Sequence, residues 1–306
     1  MPDTYLIACA CARFRACKQS YLKDRRPGGM ARYRGRYFIR RRVWRCGQYA
    51  EMELYPVFQP PGVRRSKCRP MRECQQRINE RDSRRKLTRI VQENFTERDL
   101  ELDLTYADPP SVEEAVADAR KYIRKLRLLY RKSGAELRWV LIWEQGVRSG
   151  RVHFHLVLNA GPLSRDELEA LWPHGHANSR RLRLDETGLA ALVEYLTKKS
   201  RKGQRQPGAR RWTCSRNLTR PAPEITDSAV TVAEVAELAE EIDRRSAGAV
   251  MEGMTLVEAE ALRNRVNRGL YVRLEMAAPE TWHGRRPVPR YFSGDLGGPS
   301  DEDSKF

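Results

Sequence analysis

The chain has no apolar stretch long enough to span a bilayer, which takes about 20 consecutive apolar residues, so no membrane role is expected. It also has no Gly-x-x-x-x-Gly-Lys-Ser/Thr run. Without that phosphate-cradling loop no helicase motor is expected, and any unwinding of a duplex would fall to another enzyme. No secretory leader is expected either: Leu6-Ile7-Ala8-Cys9 has the letters of a lipoprotein cleavage site, but no basic segment precedes it. The seven cysteines are an odd count, and Cys9, Cys11, Cys17, Cys46, Cys68 and Cys74 lie in the first quarter without forming two Cys-x-x-Cys knuckles. A zinc site stays open, but the odd count and the absence of a recognisable leader favour reduced thiols in a cytoplasm.

Acidic residues are scarce at the front of the chain. Residues 1–90 hold 24 Lys and Arg against 7 Asp and Glu, a net +17 out of +18 for all 306 residues. Arg32-Tyr33-Arg34-Gly35-Arg36-Tyr37-Phe38-Ile39-Arg40-Arg41-Arg42 interleaves guanidiniums with aromatics, offering phosphate contacts and stacking surfaces for bases. The other reading is a solvated basic arm, which would still bind nucleic acid by counterion release. The expected division is a basic, Cys-containing extension over 1–91, a core over 92–224, a helical region over 225–293 and a disordered acidic tail over 294–306. In the helical region Val232, Val235, Leu238 and Ile242 mark one amphipathic helix, and Leu256, Leu262 and Val266 a second.

Within the core, Glu101 to Ala107 reads as a strand. Ser111-Val112-Glu113-Glu114 is a capping box that opens a helix to about Lys132, and Ser164-Arg165-Asp166-Glu167 repeats the signature before a short helix through Leu171. Arg180 to Leu184 alternates as a strand should. The expected fold class is α+β, an antiparallel sheet with helices on its faces.

The segment richest in chemistry is Gly150-Arg151-Val152-His153-Phe154-His155-Leu156-Val157-Leu158-Asn159. On a strand Val152, Phe154, Leu156 and Leu158 point one way and His153 and His155 the other. Two imidazoles so presented are a pair of nitrogen ligands for a divalent metal, although surface or hydrogen-bonded histidines can look the same. Upstream, the apolar run from Glu136 to Ile142 and Trp143 ends in Glu144, and a short Gly-bounded connection separates it from the histidines. A hairpin symmetric about that connection puts Glu144 opposite His153 on the same face. Two nitrogens and a carboxylate suit Mg²⁺ or Mn²⁺ acting as a Lewis acid; the alternative is that Glu144 pairs with Arg148 or Arg151. His174-Gly175-His176 is a second His-x-His, but the Pro and Gly around it indicate a loop.

Downstream, Leu189, Leu192, Val193 and Leu196 fall at helical spacing, with Tyr195 at the edge of that stripe and Lys198 and Lys199 on its side of the helix. A phenol beside ammonium groups is a candidate nucleophile, since cations favour the phenolate. An amphipathic tyrosine with a packed ring and a wet hydroxyl is the alternative.

Taken together, Leu102-Asp103-Leu104-Thr105-Tyr106, His153-Phe154-His155 and Tyr195-Leu196-Thr197-Lys198 resemble the HUH endonucleases, specifically the rolling-circle replication initiators of small single-stranded DNA phages and related plasmids. The resemblance covers roughly residues 95–225, and the nucleophile follows the histidines, as it does in initiators and single-tyrosine transposases. It implies a core like the RNA-recognition motif and a metal held by His153, His155 and Glu144. It implies Tyr195 as the nucleophile that cuts single-stranded origin DNA, leaving a 5′-phosphotyrosine and a free 3′-hydroxyl. Lys198 matches the family's lysine, which would steady the phosphate. A host polymerase and helicase, in a bacterial cytoplasm, are the implied partners.

One departure stands out. Several such phage initiators carry two tyrosines four residues apart, and here that position is Ala191. Termination would then need a second protomer, another residue or water; Tyr106 is a conceivable extra hydroxyl, or an aromatic of a half-buried strand. A single-tyrosine transposase and a non-enzymatic nucleic-acid-binding protein are the alternative functions. The transposase would use the same cluster but is usually shorter and lacks a long basic front, whereas the non-enzymatic reading is tested by whether Glu144, His153, His155 and Tyr195 converge.

Overall fold

A computed structural model describes residues 37–58, 73–145, 152–197, 212–248, 250–264, 268–279 and 289–296. In chain order the described elements are β1 (Tyr37–Cys46), β2 (Tyr49–Phe58), α1 (Glu73–Asn94), β3 (Leu100–Leu104), α2 (Val112–Lys132), β4 (Trp139–Gln145), β5 (Val152–Leu158), α3 (Arg165–Ala170), β6 (Ala177–Arg181), α4 (Ala190–Leu196), β7 (Trp212–Cys214), β8 (Glu224–Asp227), α5 (Val232–Asp243), β9 (Thr255–Asn264), β10 (Leu270–Ala277) and β11 (Arg290–Leu296). The fold is mixed α+β with two sheets. No described helix is long and apolar enough to cross a membrane.

The first sheet has the order β6-β3-β5-β4-β7, with every neighbouring pair antiparallel. Alternation gives it two faces. On the back, Leu100, Leu102, Leu104, Phe154, Leu156 and Leu158 are buried with Ala115, Ala119, Tyr122, Ile123, Leu126 and Tyr130 of α2. Ser111 caps α2 by accepting from the Glu114 amide, with the reciprocal bond from the Ser111 amide to the Glu114 carboxylate. Ser164 does the same for α3. On the front, Val140, Ile142 and Val157 are covered by Leu87, Ile90 and Val91 of α1 and by Leu189, Val193 and Leu196 around α4.

The second sheet, β11-β9-β10-β2-β1-β8, corrects the expected division of the chain. Residues 37–58 are not part of an extension: β1 and β2 form a hairpin through Cys46↔Tyr49, and β2 pairs over Tyr49 to Leu54 with β10. Nor is 225–293 a helical region. It holds the expected helix α5, whose Val235, Ala239 and Ile242 are buried, but Leu256 and Leu262 lie in strand β9, and Val266 lies outside the described residues. The run Val257-Glu258-Ala259-Glu260-Ala261 alternates buried and half-exposed, a period of two. Its Ala and Glu are strong helix formers, and pairing on both sides with β10 and β11 overrides that preference. Strand β11 also reaches Leu296, so the expected tail begins inside the sheet; residues 297–306 lie outside the described residues.

Helix α1 joins the two sheets, and an expected boundary at 91/92 cuts through it. Its apolar row packs on the first sheet, whereas Arg85 and Arg89 face the second. Arg89 makes a two-pronged pair with Glu51 at 2.7 and 2.8 Å and lies 3.4 Å over the Trp44 ring. Arg85 meets Glu260 at 2.7 Å, and Arg273 meets Glu51 at 2.6 Å from the other side. Arg85 and Arg89, two of the basic residues of the front, are thus paired inside the fold instead of facing phosphate. The reason is that Glu51 is fully buried, and a buried carboxylate must be paired.

Of the cysteines, Cys46 is buried and Cys214 half-buried, both as free thiols. Burial pushes the Cys46 thiol up to about 12, so it is a packed side chain and no ready thiolate ligand.

Candidate active site

The site sits where the front face of the first sheet emerges from beneath α1 and α4. Strand β4 pairs with β5 in the register Glu144↔His153 and Ile142↔His155. The buried end of this face is apolar and the open end polar. Glu144, His153 and His155 bring one ligand atom each to within 4.8 Å of one another, and His153 Nε2 lies 3.5 Å from Glu144 Oε2. The two imidazoles have ring centroids 5.2 Å apart, turned 82° to each other.

Neither of the two acids that complete the site was singled out as a functional group in the sequence. Asp103 is the cross-strand neighbour of His155 on β3, and the His155 Nδ1–H donates to Asp103 Oδ1 at 2.5 Å. That bond fixes the tautomer that leaves Nε2 with its lone pair, the arrangement usual for a histidine ligand. Arg180 of β6 then forks onto Glu101 at 2.9 and 2.9 Å and reaches Asp103 Oδ2 at 3.1 Å. Burial would raise the Asp103 carboxyl, but His155 and Arg180 outweigh it and hold it below its ordinary range. Glu101, Asp103 and His155 also form a ligand-like group within 4.8 Å. Its acids, however, are already held by a guanidinium, so the Glu144–His153–His155 set is the one whose chemistry fits a hard divalent cation.

Tyr195 comes from outside the sheet. Leu189, Val193 and Leu196 anchor α4, and its start is clamped from α1 by Gln92, which donates to Thr187 O at 2.6 Å and accepts from the Leu189 amide at 3.1 Å. The helix turns the Tyr195 side chain, 51 % exposed, over the histidine end of the face, with its ring centroid 6.4 Å from that of His155. Ala191 occupies the position one turn earlier. Lys198 and Lys199 lie outside the described residues.

The structure thus brings Glu144, His153, His155 and Tyr195 together. It places the other candidates elsewhere. Tyr106 is buried in the core behind the sheet, where its hydroxyl donates to Ala115 O at 3.3 Å, and burial raises its pKa. His174 lies in a loop against Trp172 and 3.6 Å from Asp118.

A family model described as "Replication-associated protein ORF2/G2P" matches residues 100–203, about a third of the chain. The match begins at β3 and runs through all four converging residues. It is consistent with a replication initiator, a protein that works on DNA. No curated protein and no solved structure matches the chain.

Proposed function

We propose that this protein initiates rolling-circle replication by nicking single-stranded origin DNA. The observation that carries the reading is the convergence of Tyr195, on a separate helix, with the two histidines and Glu144 at one end of one sheet face. A metal-dependent cut needs that combination, and a non-enzymatic binding module does not.

In the reaction the Tyr195 oxygen gives up its proton and attacks a phosphodiester phosphorus. A tyrosyl O–P bond forms to the 5′ side, the P–O3′ bond breaks, and the 3′-oxygen leaves, takes a proton and becomes the primer end. Glu144, His153 and His155 would hold Mg²⁺ or Mn²⁺, which when bound stabilises charge on the phosphoryl oxygens. Asp103 keeps His155 in the metal-binding tautomer, and the exposure of Tyr195 lets a strand reach it. Lys198, three residues on from Tyr195, would steady the phosphate. A host polymerase would extend the 3′-hydroxyl and a host helicase would open the duplex.

With Ala191 in place of a second helix tyrosine, termination would require a second protomer, another residue or water. The same feature fits a single-tyrosine transposase. The test is incubation of the full chain with single-stranded DNA and Mn²⁺. A denaturation-resistant protein–DNA adduct that disappears with chelator and in Tyr195→Phe is expected; an adduct that forms equally with chelator would remove the metal from the reading.

A further inference from the structure

Helix α2 carries an arginine row that, unlike the one on α1, the fold does not neutralise. From residue 119 to 132 α2 holds Arg120, Lys121, Arg124, Lys125, Arg127, Arg131 and Lys132 and no acidic residue. All seven are exposed, and among the described residues only Lys121 meets a carboxylate, Asp118 at 3.2 Å. At 100° per residue Arg120, Arg124, Arg127 and Arg131 stack in one row about a third of a turn around the helix from the buried stripe, running about 16 Å along the axis at 1.5 Å per residue. The C-terminal end of the row opens on a recess lined by Arg127, Arg131, Trp139, Arg216 and Asn217, with Glu136 as its one acid. The Trp139 indole N–H has no hydrogen-bond partner there, although Trp139 is only 8 % exposed. The recess lies beside the edge strand β7, where a ligand can pass from the back of the sheet to the front.

We infer that the outer face of α2 binds the backbone of duplex DNA flanking the strand that is cut. The surface is long, of one sign and rigid, and it faces away from Tyr195. About 16 Å of duplex axis presents roughly ten phosphates, enough for every guanidinium of the row. An isolated flexible strand would not need a straight row on the face behind the active centre. The inference rests on the reading that the chain acts on DNA, but not on Tyr195 being the nucleophile.

The test is fluorescence anisotropy of the full chain with a duplex bearing a single-stranded tail and with the tail alone, across a salt series. In R120Q/R124Q/R127Q/R131Q the log–log salt slope for the tailed duplex should fall by roughly 0.9 per lost contact, so by about 3 to 4. The slope for the tail alone should stay unchanged, as should adduct formation on a short single strand. The matched four-lysine variant, R120K/R124K/R127K/R131K, should keep most of the slope, which separates charge from misfolding. An unchanged slope for the tailed duplex overturns the inference. So does concentration-dependent self-association of the parent protein without DNA that the glutamine variant abolishes, because the face, with exposed Leu128 beside the row, would then belong to a second copy. If the parent forms no adduct but the slopes behave as stated, the nicking reading fails and the duplex contact stands.

Discussion

Replacing Asp103 by Asn tests how His155, a proposed metal ligand, is held in place. The carboxylate serves two donors at once, the His155 Nδ1–H at 2.5 Å through Oδ1 and Arg180 at 3.1 Å through Oδ2. An amide of the same shape has one acceptor oxygen and one NH₂. If its oxygen takes His155, its NH₂ faces the guanidinium; if it turns to Arg180, its NH₂ faces a ring N–H, and the imidazole must move or change tautomer. Loss of an outer partner of a histidine ligand typically costs tenfold to a hundredfold in metal affinity, or about 1.4 to 2.8 kcal/mol. Mn²⁺ binding to the full chain, followed by the electron paramagnetic resonance of the free ion, reads this without any DNA cleavage. Asp103→Asn is expected to raise the dissociation constant within that range. Arg180→Gln instead strips the partner from buried Glu101 and should lower the melting temperature more than the Mn²⁺ affinity. Mn²⁺ affinity unchanged in Asp103→Asn would refute the positioning role.

Three further outcomes follow from the fold. The Glu51 carboxyl is held at about 2 against an ordinary 4.5: burial would raise it, but Arg273 and Arg89 outweigh the burial. Folding therefore favours the ionised form, and about 3 kcal/mol of stability is present above pH about 4.5 and lost as the pH falls toward 2; Glu51→Gln should show a smaller change in chemical-denaturation stability across that window. Leu87→Ala, at a fully buried contact between α1 and the first sheet, should cost about 2 to 5 kcal/mol by urea unfolding, and a loss below 1 kcal/mol would mean α1 is not part of that core. A chain beginning at Phe95 would expose Ile142, Val157 and Leu189 and should lack a cooperative thermal transition; a sharp transition would restore the idea of a separable front.

What could be read from the sequence was local. The Glu144↔His153 register follows from a short symmetric connection, and the helix carrying Tyr195 from three or four apolar residues at the right spacing. Both capping boxes give helix starts to the residue, because the cap is chemistry between neighbours. The misreadings lie at long range. Asp103 reaches His155 only because β3 pairs with a strand 52 residues away, and Arg180 joins them from the next strand over. One hint was present: Glu101 and Asp103 sit at period two among leucines that must be buried, so both acids point to one face. The second sheet joins β2 to β10 across more than 200 residues, and nothing in the basic composition of 1–90 marks Glu51 as the anchor for Arg89 and Arg273. The Ala and Glu alternation of β9 satisfies a helix as well as a strand until its neighbours are known.

In the proposed reaction Tyr195 becomes covalently joined to DNA. The direct measurement is mass spectrometry of the protein–DNA adduct after nuclease trimming and proteolysis. A nucleotide-bearing peptide containing residues 190–197, with the phosphate on Tyr195 and absent when Mn²⁺ is omitted, is the predicted result. A nucleotide on any other residue, or cleavage of the strand with no covalent adduct at all, would contradict it.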